Sequence, residues 1–272
     1  MAGPGITTGG PLLLVGCGKM GGALLSGWLA HGVSATSVTV VEPKPAAGSL
    51  PGGVTLVAGI DAVTAAPAVV VLAVKPQQMD AVVAQCRRFV RPGTVFLSIA
   101  AGKSIAYYAH ALGDAAIVRA MPNTPAAVGR GMSALCANAK ADAAQREVCD
   151  ALLTAVGEVA WIDDESLLDA VTAVSGGGPA YVFLLIECLA EAGVAAGLPA
   201  DLAMRLARTT VAGAGELVHQ ASEPASRLRE NVSSPGGTTL EALKVLMAPD
   251  GLQPLLTRAI AEATRRSREL AS

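Results

Sequence analysis

Aromatic side chains and paired cysteines are both scarce in this sequence. Phe, Trp and Tyr make up 3% of the 272 residues, so the chain lacks the aromatic surface on which single-stranded nucleic acids stack. Its five cysteines are odd in number and contain no C-x-x-C pair, which argues against a metal or redox site. We therefore expect reduced thiols, a cytoplasmic location, no bound metal and no nucleic-acid partner.

Strong net charge and long apolar runs are also missing. The formal net charge is −2, so no overall field attracts phosphate polymers or anionic membranes. No uninterrupted apolar run reaches the ~18 residues that a membrane span needs. The N-terminus has no basic region before its first apolar run, as a signal peptide would have. The sequence thus predicts a protein that is not exported and has no membrane partner.

The high share of hydrophobic residues and the length of the chain indicate a sizeable core and are compatible with two domains. The hydrophobic share is 52%, and 272 residues are enough for two domains. In the first part, apolar β-branched runs alternate with helical stretches, which is typical of a doubly wound parallel sheet of the Rossmann type. These runs lie at 11–16, 37–43, 68–76 and 94–102, and further runs at 115–125 and 132–138 extend the same sheet.

Helical patterns rich in Ala, Leu and Glu replace the strand-like runs after residue 164. We therefore predict a mobile Gly/Pro-rich tail at 1–10, a dinucleotide-binding Rossmann domain at 11–163, and an all-helical domain at 164–272. The first long helix of the helical domain has an apolar face, which we interpret as core or subunit interface rather than a ligand site. Its residues are Tyr181, Leu184, Leu185, Cys188, Leu189 and Ala192.

A G-x-G-x-x-G motif lies between the first predicted strand and the helix that follows. Its residues are Gly16, Cys17, Gly18, Lys19, Met20 and Gly21. The glycines allow a tight turn, and the helix N-terminus offers N–H groups and a positive dipole end to a pyrophosphate. The motif therefore predicts a dinucleotide-binding turn, because Glu42 follows it by about 20 residues at the end of the second strand.

The choice between NADH and NADPH stays open. Glu42 would accept a hydrogen bond from the ribose 2′-hydroxyl and repel a 2′-phosphate, whereas Lys44 would attract that phosphate. The alternative for Glu42 is a solvated strand end.

Lys75-Pro76 ends the third of the four main runs, where parallel topology places residues beside the ligand crevice. The alternative for Lys75 is an ordinary surface lysine.

The segment ENVSSPGGTTLEAL, residues 230–243, precedes a helical run. Thr238-x-x-Glu241 fits a capping box, so a purely structural helix start is one interpretation. The other is an anion site, because Gly237, Thr238 and Thr239 would present N–H groups and hydroxyls at a positive helix end. Such a site suits a small carboxylate, and this segment alone leaves both interpretations open.

Several segments together resemble the pyrroline-5-carboxylate reductase family. The resemblance covers nearly the whole chain after the tail and implies a Rossmann domain followed by a helical dimerisation domain, with dimers assembled into larger rings. It further implies reduction of 1-pyrroline-5-carboxylate to L-proline by NADPH or NADH, the last step of proline biosynthesis. The segments are GCGKMGGALLSG, LAVKPQQM, SIAAG, AMPNTPAAVGRGMSAL, VSGGGPAYVF and ENVSSPGGTTLEAL.

The resemblance also implies roles for individual residues. Cofactor contacts carry over to the turn Gly16 to Gly21, and to Ala73, Val74, Lys75, Pro76, Ile99, Ala100, Ala101 and Asn231. Substrate contacts carry over to Ser234, Gly237, Thr238 and Thr239. If Thr238 caps the helix, the Thr239 hydroxyl is free to lie beside the imine nitrogen, so Thr239 is the candidate catalytic residue.

The sequence departs from the family pattern at three places. Lys19 replaces a residue that is commonly polar and uncharged, and Glu42 replaces the small hydroxyl residue of many NADPH-preferring members. The segment ASEPASRLREN lacks the His-Pro often found upstream of the last motif, which leaves an acidic contact from Glu223 open.

Two other functions compete with this one. A β-hydroxyacid dehydrogenase shares the two-domain plan but needs a lysine base on the helix after Gly178, and that helix reads PAYVFLLIEC. A non-catalytic NAD(P)-binding protein has no need of a carboxylate site such as SPGGTT. Both alternatives are therefore weaker than the reductase.

Overall fold

The computed structural model describes residues 5–45 and 50–271. Residues 1–4 of the predicted tail lie outside this range. Within the rest of the tail, the Ile6 N–H donates to the His31 carbonyl at 3.3 Å, and Ile6 packs against the core. Mobility of residues 1–10 stays a prediction.

An eight-stranded sheet organises the first part of the described chain. Its strand order is β3-β2-β1-β4-β5-β6-β7-β8, and all neighbouring strands are parallel except the antiparallel pair β6 and β7. The doubly wound sheet predicted from the apolar runs is confirmed. The strands are β1 Leu12–Val15, β2 Val38–Val41, β3 Thr55–Val57, β4 Val69–Leu72, β5 Val95–Ser98, β6 Ala116–Met121, β7 Gly131–Ala137 and β8 Gly157–Trp161.

The two edge strands, β3 and β8, are the ones that the apolar runs do not predict. β3 has three residues and exposes Leu56, so it has no buried run. β8 contains Gly157 and the exposed Glu158, which interrupt its apolar pattern. An edge strand has one neighbour and partial cover, and therefore lacks the continuous apolar sequence of a central strand.

Helices cover both faces of the sheet. Side chains of β1 alternate between two apolar clusters: Leu12 and Leu14 pack with Trp28, whereas Leu13 and Val15 pack with Tyr108. This two-sided burial explains why the central strands are apolar at every position. The helices in this part are α1 Lys19–Ala30, α2 Met79–Cys86, α3 Ile105–Leu112 and α4 Ala143–Thr154.

Helices dominate the remainder of the chain, as the sequence predicts. A five-residue π-helical turn, Thr172–Gly176, joins the first two of them. The helices are α5 Leu167–Val171, α6 Gly178–Ala195, α7 Ala200–Gln220, α8 Ala225–Asn231, α9 Thr238–Leu246 and α10 Leu252–Ala271.

The chain divides into two compact units. The sheet unit runs to Gly176 and includes the end of the chain from Ala263, and the helical unit is Gly177–Glu262. The Ser267 hydroxyl donates to Asp169 Oδ1 at 2.6 Å within the sheet unit. The sheet unit thus includes residues 164–176 and 263–272, which the sequence assigned to the helical domain. The predicted limits 11–163 and 164–272 stay predictions.

One helical stretch of the described chain has the length and composition of a membrane-crossing helix. It is Leu167–Ala195, with a mean hydropathy of 1.5 over 18 residues, of which 11% are buried. The stretch joins α5, the π-helical turn and α6. Length and composition alone are weak evidence for a span, because helices that bury their surface against another protein chain have the same composition.

Within the sheet unit, a buried ion pair connects the segment before α5 to β6. Arg119 Nη1 donates to Glu165 Oε1 at 2.8 Å, and the Ile105 N–H donates to the same oxygen at 2.7 Å. Arg119 is 6% exposed, so this carboxylate compensates a largely buried guanidinium.

We expect Glu165→Ala to lower the free energy of unfolding by about 3 kcal/mol, because it leaves a buried guanidinium unpaired. The exposed Glu158 serves as control, and Glu158→Ala should change stability by less than about 0.5 kcal/mol. Urea titrations at one protein concentration measure both values. A Glu165→Ala curve that overlays the wild-type curve would contradict the role of this pair.

Candidate active site

The first half of the glycine motif is shaped by the contact between the ends of β1 and β4. Gly16 has a φ of +93°, and a Cβ built on it would lie 2.9 Å from the Ala73 carbonyl carbon and oxygen. A Cβ on Gly21 would collide with the Gly16 carbonyl oxygen. Both positions therefore require glycine, one for its backbone conformation and both for space.

Gly18 has a different environment from the other two glycines. Its φ is −72°, and a Cβ built on it meets no atom within 4 Å. Gly18 is the N-cap of α1, and no side chain caps this helix. The first N–H groups of α1 have no carbonyl partner within the helix, so the positive helix end faces open space. This cradle fits the pyrophosphate of a dinucleotide.

Glu42 is held against the glycine turn. Its Oε2 accepts from the Cys17 N–H at 3.0 Å, and its Oε1 accepts from the Lys44 N–H at 3.1 Å. Burial, and then the charge of Glu42, raise the pKa of the Cys17 thiol above its ordinary value. Glu42 is therefore a fixed negative charge beside the turn rather than a freely solvated strand end. Its bond to a ribose hydroxyl stays a prediction.

The ends of β4 and β5 complete this edge of the sheet. The Ala73 N–H donates to the Val15 carbonyl at 2.8 Å, and the Ile99 N–H donates to the Leu72 carbonyl at 3.1 Å. Lys75 is exposed and Ala101 is half-buried. The cofactor residues predicted in the sheet unit therefore share the carboxyl edge of β1, β2, β4 and β5, where ligands bind in open α/β sheets.

The remaining predicted site residues share the connection between α8 and α9 in the helical unit. Asn231 ends α8, and the Gly237 N–H donates to the Ser234 carbonyl at 3.0 Å. Gly236 has a φ of +72°, a conformation that favours glycine. Thr238 is exposed and Thr239 is half-buried. Thr238 and Thr239 are the first two residues of α9, so their N–H groups have no carbonyl partner within the helix.

The predicted capping box at Thr238 is wrong. The N-cap of α9 is Gly237, and no side chain caps the helix. Glu241 accepts from Lys244 Nζ at 2.7 Å instead of reaching back to the helix start. The tight turn at Gly236 and Gly237 starts the helix one residue early, so Thr238 lies inside the first turn where its side chain does not reach the capping position.

The apolar face of α6 is not core of its own chain. Leu184 is 56% exposed, Leu185 is 44% exposed and Leu189 is 43% exposed. Cys188 and Ala192 on the same face are exposed too. Because these side chains are exposed, the core interpretation is excluded and the subunit-interface interpretation is the one that stays.

Asn123, in the sheet unit, links two motif segments, and sequence reasoning did not single it out. Its Nδ2 donates to Ser175 Oγ at 3.1 Å and to the Ser175 carbonyl at 3.3 Å, while its Oδ1 accepts from the Met132 N–H at 2.8 Å. Asn123 thereby joins the MPNTP segment to the π-helical turn, a type of turn found frequently at functional sites. The MPNTP segment and the segment around Ser175 are both recognisable in the sequence. No local sequence pattern predicts that Asn123 and Ser175 are hydrogen-bonded, because they are 52 residues apart.

Known proteins match this chain over almost its full length. A family model described as pyrroline-5-carboxylate reductase dimerisation matches residues 165–270, and one described as NADP oxidoreductase, coenzyme F420-dependent, matches residues 12–102. A pyrroline-5-carboxylate reductase of Pseudomonas aeruginosa is 40% identical over 264 residues, which is 96% of each chain. The chain belongs to the pyrroline-5-carboxylate reductase family.

Solved structures of the family agree with the fold. The enzyme of Coxiella burnetii superimposes with a TM-score of 0.90 at 32% identity, covering 97% of this chain and 99% of that one. The Plasmodium falciparum enzyme, solved with NADP bound, superimposes with a TM-score of 0.82 at 28% identity, covering 96% and 98%. The Rossmann-type sheet with a C-terminal helical dimerisation domain is confirmed.

Family membership decides between the competing functions. Members are enzymes, so a non-catalytic NAD(P)-binding protein is set aside together with the β-hydroxyacid dehydrogenase. Residues 165–270 match a dimerisation domain, which accounts for the exposed apolar face of α6 without a membrane.

Alanine substitutions at Gly16 and Gly18 should have different effects on thermal stability. We expect Gly16→Ala to lower the thermal midpoint by several degrees, because alanine is strained at positive φ and its Cβ meets the Ala73 carbonyl. Gly18→Ala should leave the midpoint nearly unchanged, because its Cβ enters open space. Thermal melts of the two variants make the comparison, and equal midpoints would contradict the described geometry.

Proposed function

We propose that this chain is a pyrroline-5-carboxylate reductase that uses NADPH or NADH to reduce 1-pyrroline-5-carboxylate to L-proline. Identity of 40% over 96% of both chains to the Pseudomonas aeruginosa reductase carries this proposal. The sheet unit and the helical unit each contribute an uncapped helix N-terminus beside glycines, suited to a pyrophosphate and a carboxylate respectively. Steady-state reduction of 1-pyrroline-5-carboxylate with each cofactor tests it directly.

The geometry of the sheet edge supports the cofactor residues proposed in the sheet unit. The turn from Gly16 to Gly21 holds the pyrophosphate at the start of α1, and Glu42 holds the adenosine ribose. The open side of Gly18 leaves room for this close approach. The other residues proposed to line the cofactor are Ala73, Val74, Lys75, Pro76, Ala100, Ala101 and Asn231.

The substrate residues act mainly by orientation. The N–H groups at the start of α9, with Gly237 and Ser234, hold the carboxylate of the substrate in a fixed position. The bound nicotinamide supplies a hydride to the imine carbon. A protonated imine is already a good electrophile, so the site needs only a hydrogen bond or proton at nitrogen, which the Thr239 hydroxyl provides. Thr238 supplies a backbone N–H.

This chemistry has no need of histidine. His31, His110 and His219 lie outside every motif. His31 is the C-cap of α1, and its Nδ1 lies 2.9 Å from the Gly27 carbonyl oxygen. A local role at a helix end accounts for this side chain.

We further propose that the enzyme is cytoplasmic and that its dimers assemble into larger rings. All five cysteines are free thiols, as a reducing compartment requires. The rings follow from the family resemblance, and the exposed apolar side chains of the helical unit, among them Val218 and Leu217, offer surface for such contacts.

The fixed carboxylate of Glu42 should favour NADH. We expect Glu42→Ser to raise the ratio of kcat/KM for NADPH to that for NADH by roughly tenfold, because it removes a negative charge that repels the 2′-phosphate. Glu42→Gln keeps an acceptor oxygen for the turn and should shift the ratio in the same direction.

Lys44→Ser is the matched control for this charge effect. It removes a positive charge at the same edge, so it should move the ratio toward NADH. A strictly NADPH-dependent wild type whose ratio is unchanged in Glu42→Ser would show that Glu42 is not near the ribose.

The Thr239 hydroxyl should contribute to turnover rather than stability. We expect Thr239→Ala to lower kcat by roughly 100-fold at high pH, where the imine arrives unprotonated, and by less at low pH. Thr238→Ala is the control: because Gly237 is the N-cap, it should leave both the thermal midpoint and kcat close to wild type. Turnover near wild type in Thr239→Ala across the pH range would remove Thr239 from the mechanism.

A further inference from the structure

Two hydroxyl side chains are buried together behind the end of β5. Ser98, the last residue of β5, is 1% exposed, and Tyr108 on α3 is 0% exposed. Ser98 Oγ and Tyr108 Oη are 2.6 Å apart, the distance of a short hydrogen bond between hydroxyls. Burial raises the pKa of Tyr108 to about 12, so its hydroxyl keeps its proton at neutral pH. Ser98 is the first residue of the SIAAG segment, but the sequence analysis assigned no role to either side chain.

Ser98 also holds the backbone of the segment that leaves the sheet. The hydrogen bonds between β4 and β5 continue as far as the Ile99 N–H, which donates to the Leu72 carbonyl. At Ala100 the backbone turns away, and its N–H donates to Ser98 Oγ at 3.3 Å. Ala100 is 5% exposed, so water cannot readily replace this acceptor. The Ser98 hydroxyl therefore supplies the acceptor for a buried N–H at the point where the chain leaves the sheet.

The other end of this segment packs closely against α10. Gly102 has a φ of +72°, and a Cβ built on it would lie 3.0 Å from the Leu270 carbonyl oxygen at the end of α10. Ala101 is thus between a turn held by Ser98 and a glycine packed against α10. The hydrogen bond at Ala100 and the close packing at Gly102 thus both restrict the backbone on either side of Ala101.

We propose that Ser98 and Tyr108 are positioning residues for the nicotinamide cofactor. Ser98 orients the Ala100 N–H directly, and Tyr108 orients the Ser98 hydroxyl from α3. Neither side chain contacts the cofactor in this proposal; they preset the Ala100 and Ala101 backbone that lines it. The inference rests on the proposed function, in which these two alanines are cofactor residues.

Preorganisation of this kind acts on cofactor binding more than on the hydride step. A segment that is set before binding loses little conformational freedom when the cofactor arrives, so removing its support raises the dissociation constant. Once the cofactor is bound at saturation, it holds the segment itself. The expected result is a change in Kd and KM for the cofactor, with kcat nearly constant.

The test uses Ser98→Ala, Tyr108→Phe and the double variant of the full chain. Isothermal titration calorimetry with NADPH and NADH measures Kd, and steady-state kinetics measures kcat and KM. We expect Ser98→Ala to raise Kd roughly tenfold, because Ala100 loses its acceptor. Tyr108→Phe should raise Kd roughly threefold, because Ser98 is still present but less well oriented. The double variant should match Ser98→Ala alone, since both act through one hydroxyl.

Tyr107→Phe is the matched control. It makes the same change at the next residue of α3, but the Tyr107 hydroxyl donates to Asp80 Oδ1 at 2.5 Å rather than to Ser98. Its cofactor Kd should stay within about twofold of wild type, as for other changes away from the site.

Two results would overturn the inference. One is an unchanged cofactor Kd in Ser98→Ala and Tyr108→Phe with a lower thermal midpoint, which assigns the pair to stability only. The other is a double variant whose effects simply add. Tyr108→Phe keeps the buried ring, so it remains informative if Ser98→Ala does not fold. A wild-type protein that binds the cofactor but does not reduce 1-pyrroline-5-carboxylate would refute the proposed function and not this inference.

Discussion

The close contact between the ends of β1 and β4 is the constraint on which the cofactor edge depends. Gly16 lies so near the Ala73 carbonyl that no side chain fits between them, and its positive φ turns the chain directly into α1. This turn aims the N-terminus of α1 over the sheet edge and brings the Cys17 N–H to Glu42. One backbone contact thus positions the anion cradle and the charge beside it.

The helix N-termini of the described residues differ in how they are capped. α3 and α4 begin with side-chain caps, Ser104 on the Tyr107 N–H and Asp142 on the Gln145 N–H, so their first turns are satisfied within the protein. α1, α6 and α9 begin with glycine N-caps and no side-chain cap. Leaving N–H groups uncapped costs stability, and two of these helices, α1 and α9, are the ones proposed to bind the anionic parts of the cofactor and substrate.

The helical unit has a composition suited to a subunit interface. Among its described residues, the buried ones are alanines, such as Ala190 on α6 and Ala203 on α7, so the two helices pack closely. Larger side chains point outward, including Phe183 at 61% exposed. A helix pair that fills its own contact with small residues leaves its large apolar side chains for a partner chain. The dimerisation family model is consistent with this division.

Local pattern was sufficient for much of this protein. Periodicity and the spacing of glycines predicted the central strands, the turn at Gly16 to Gly21 and the helical second part, because each depends on neighbours in sequence. Motif identity further indicated the reductase family. The edge strands β3 and β8 and the contact of Glu42 with Cys17 were decided by the tertiary structure. So were the Asn123 link to Ser175 and the Ser98–Tyr108 pair. Each of these depends on which distant residues the fold brings within hydrogen-bonding distance, and no local spacing encodes that distance.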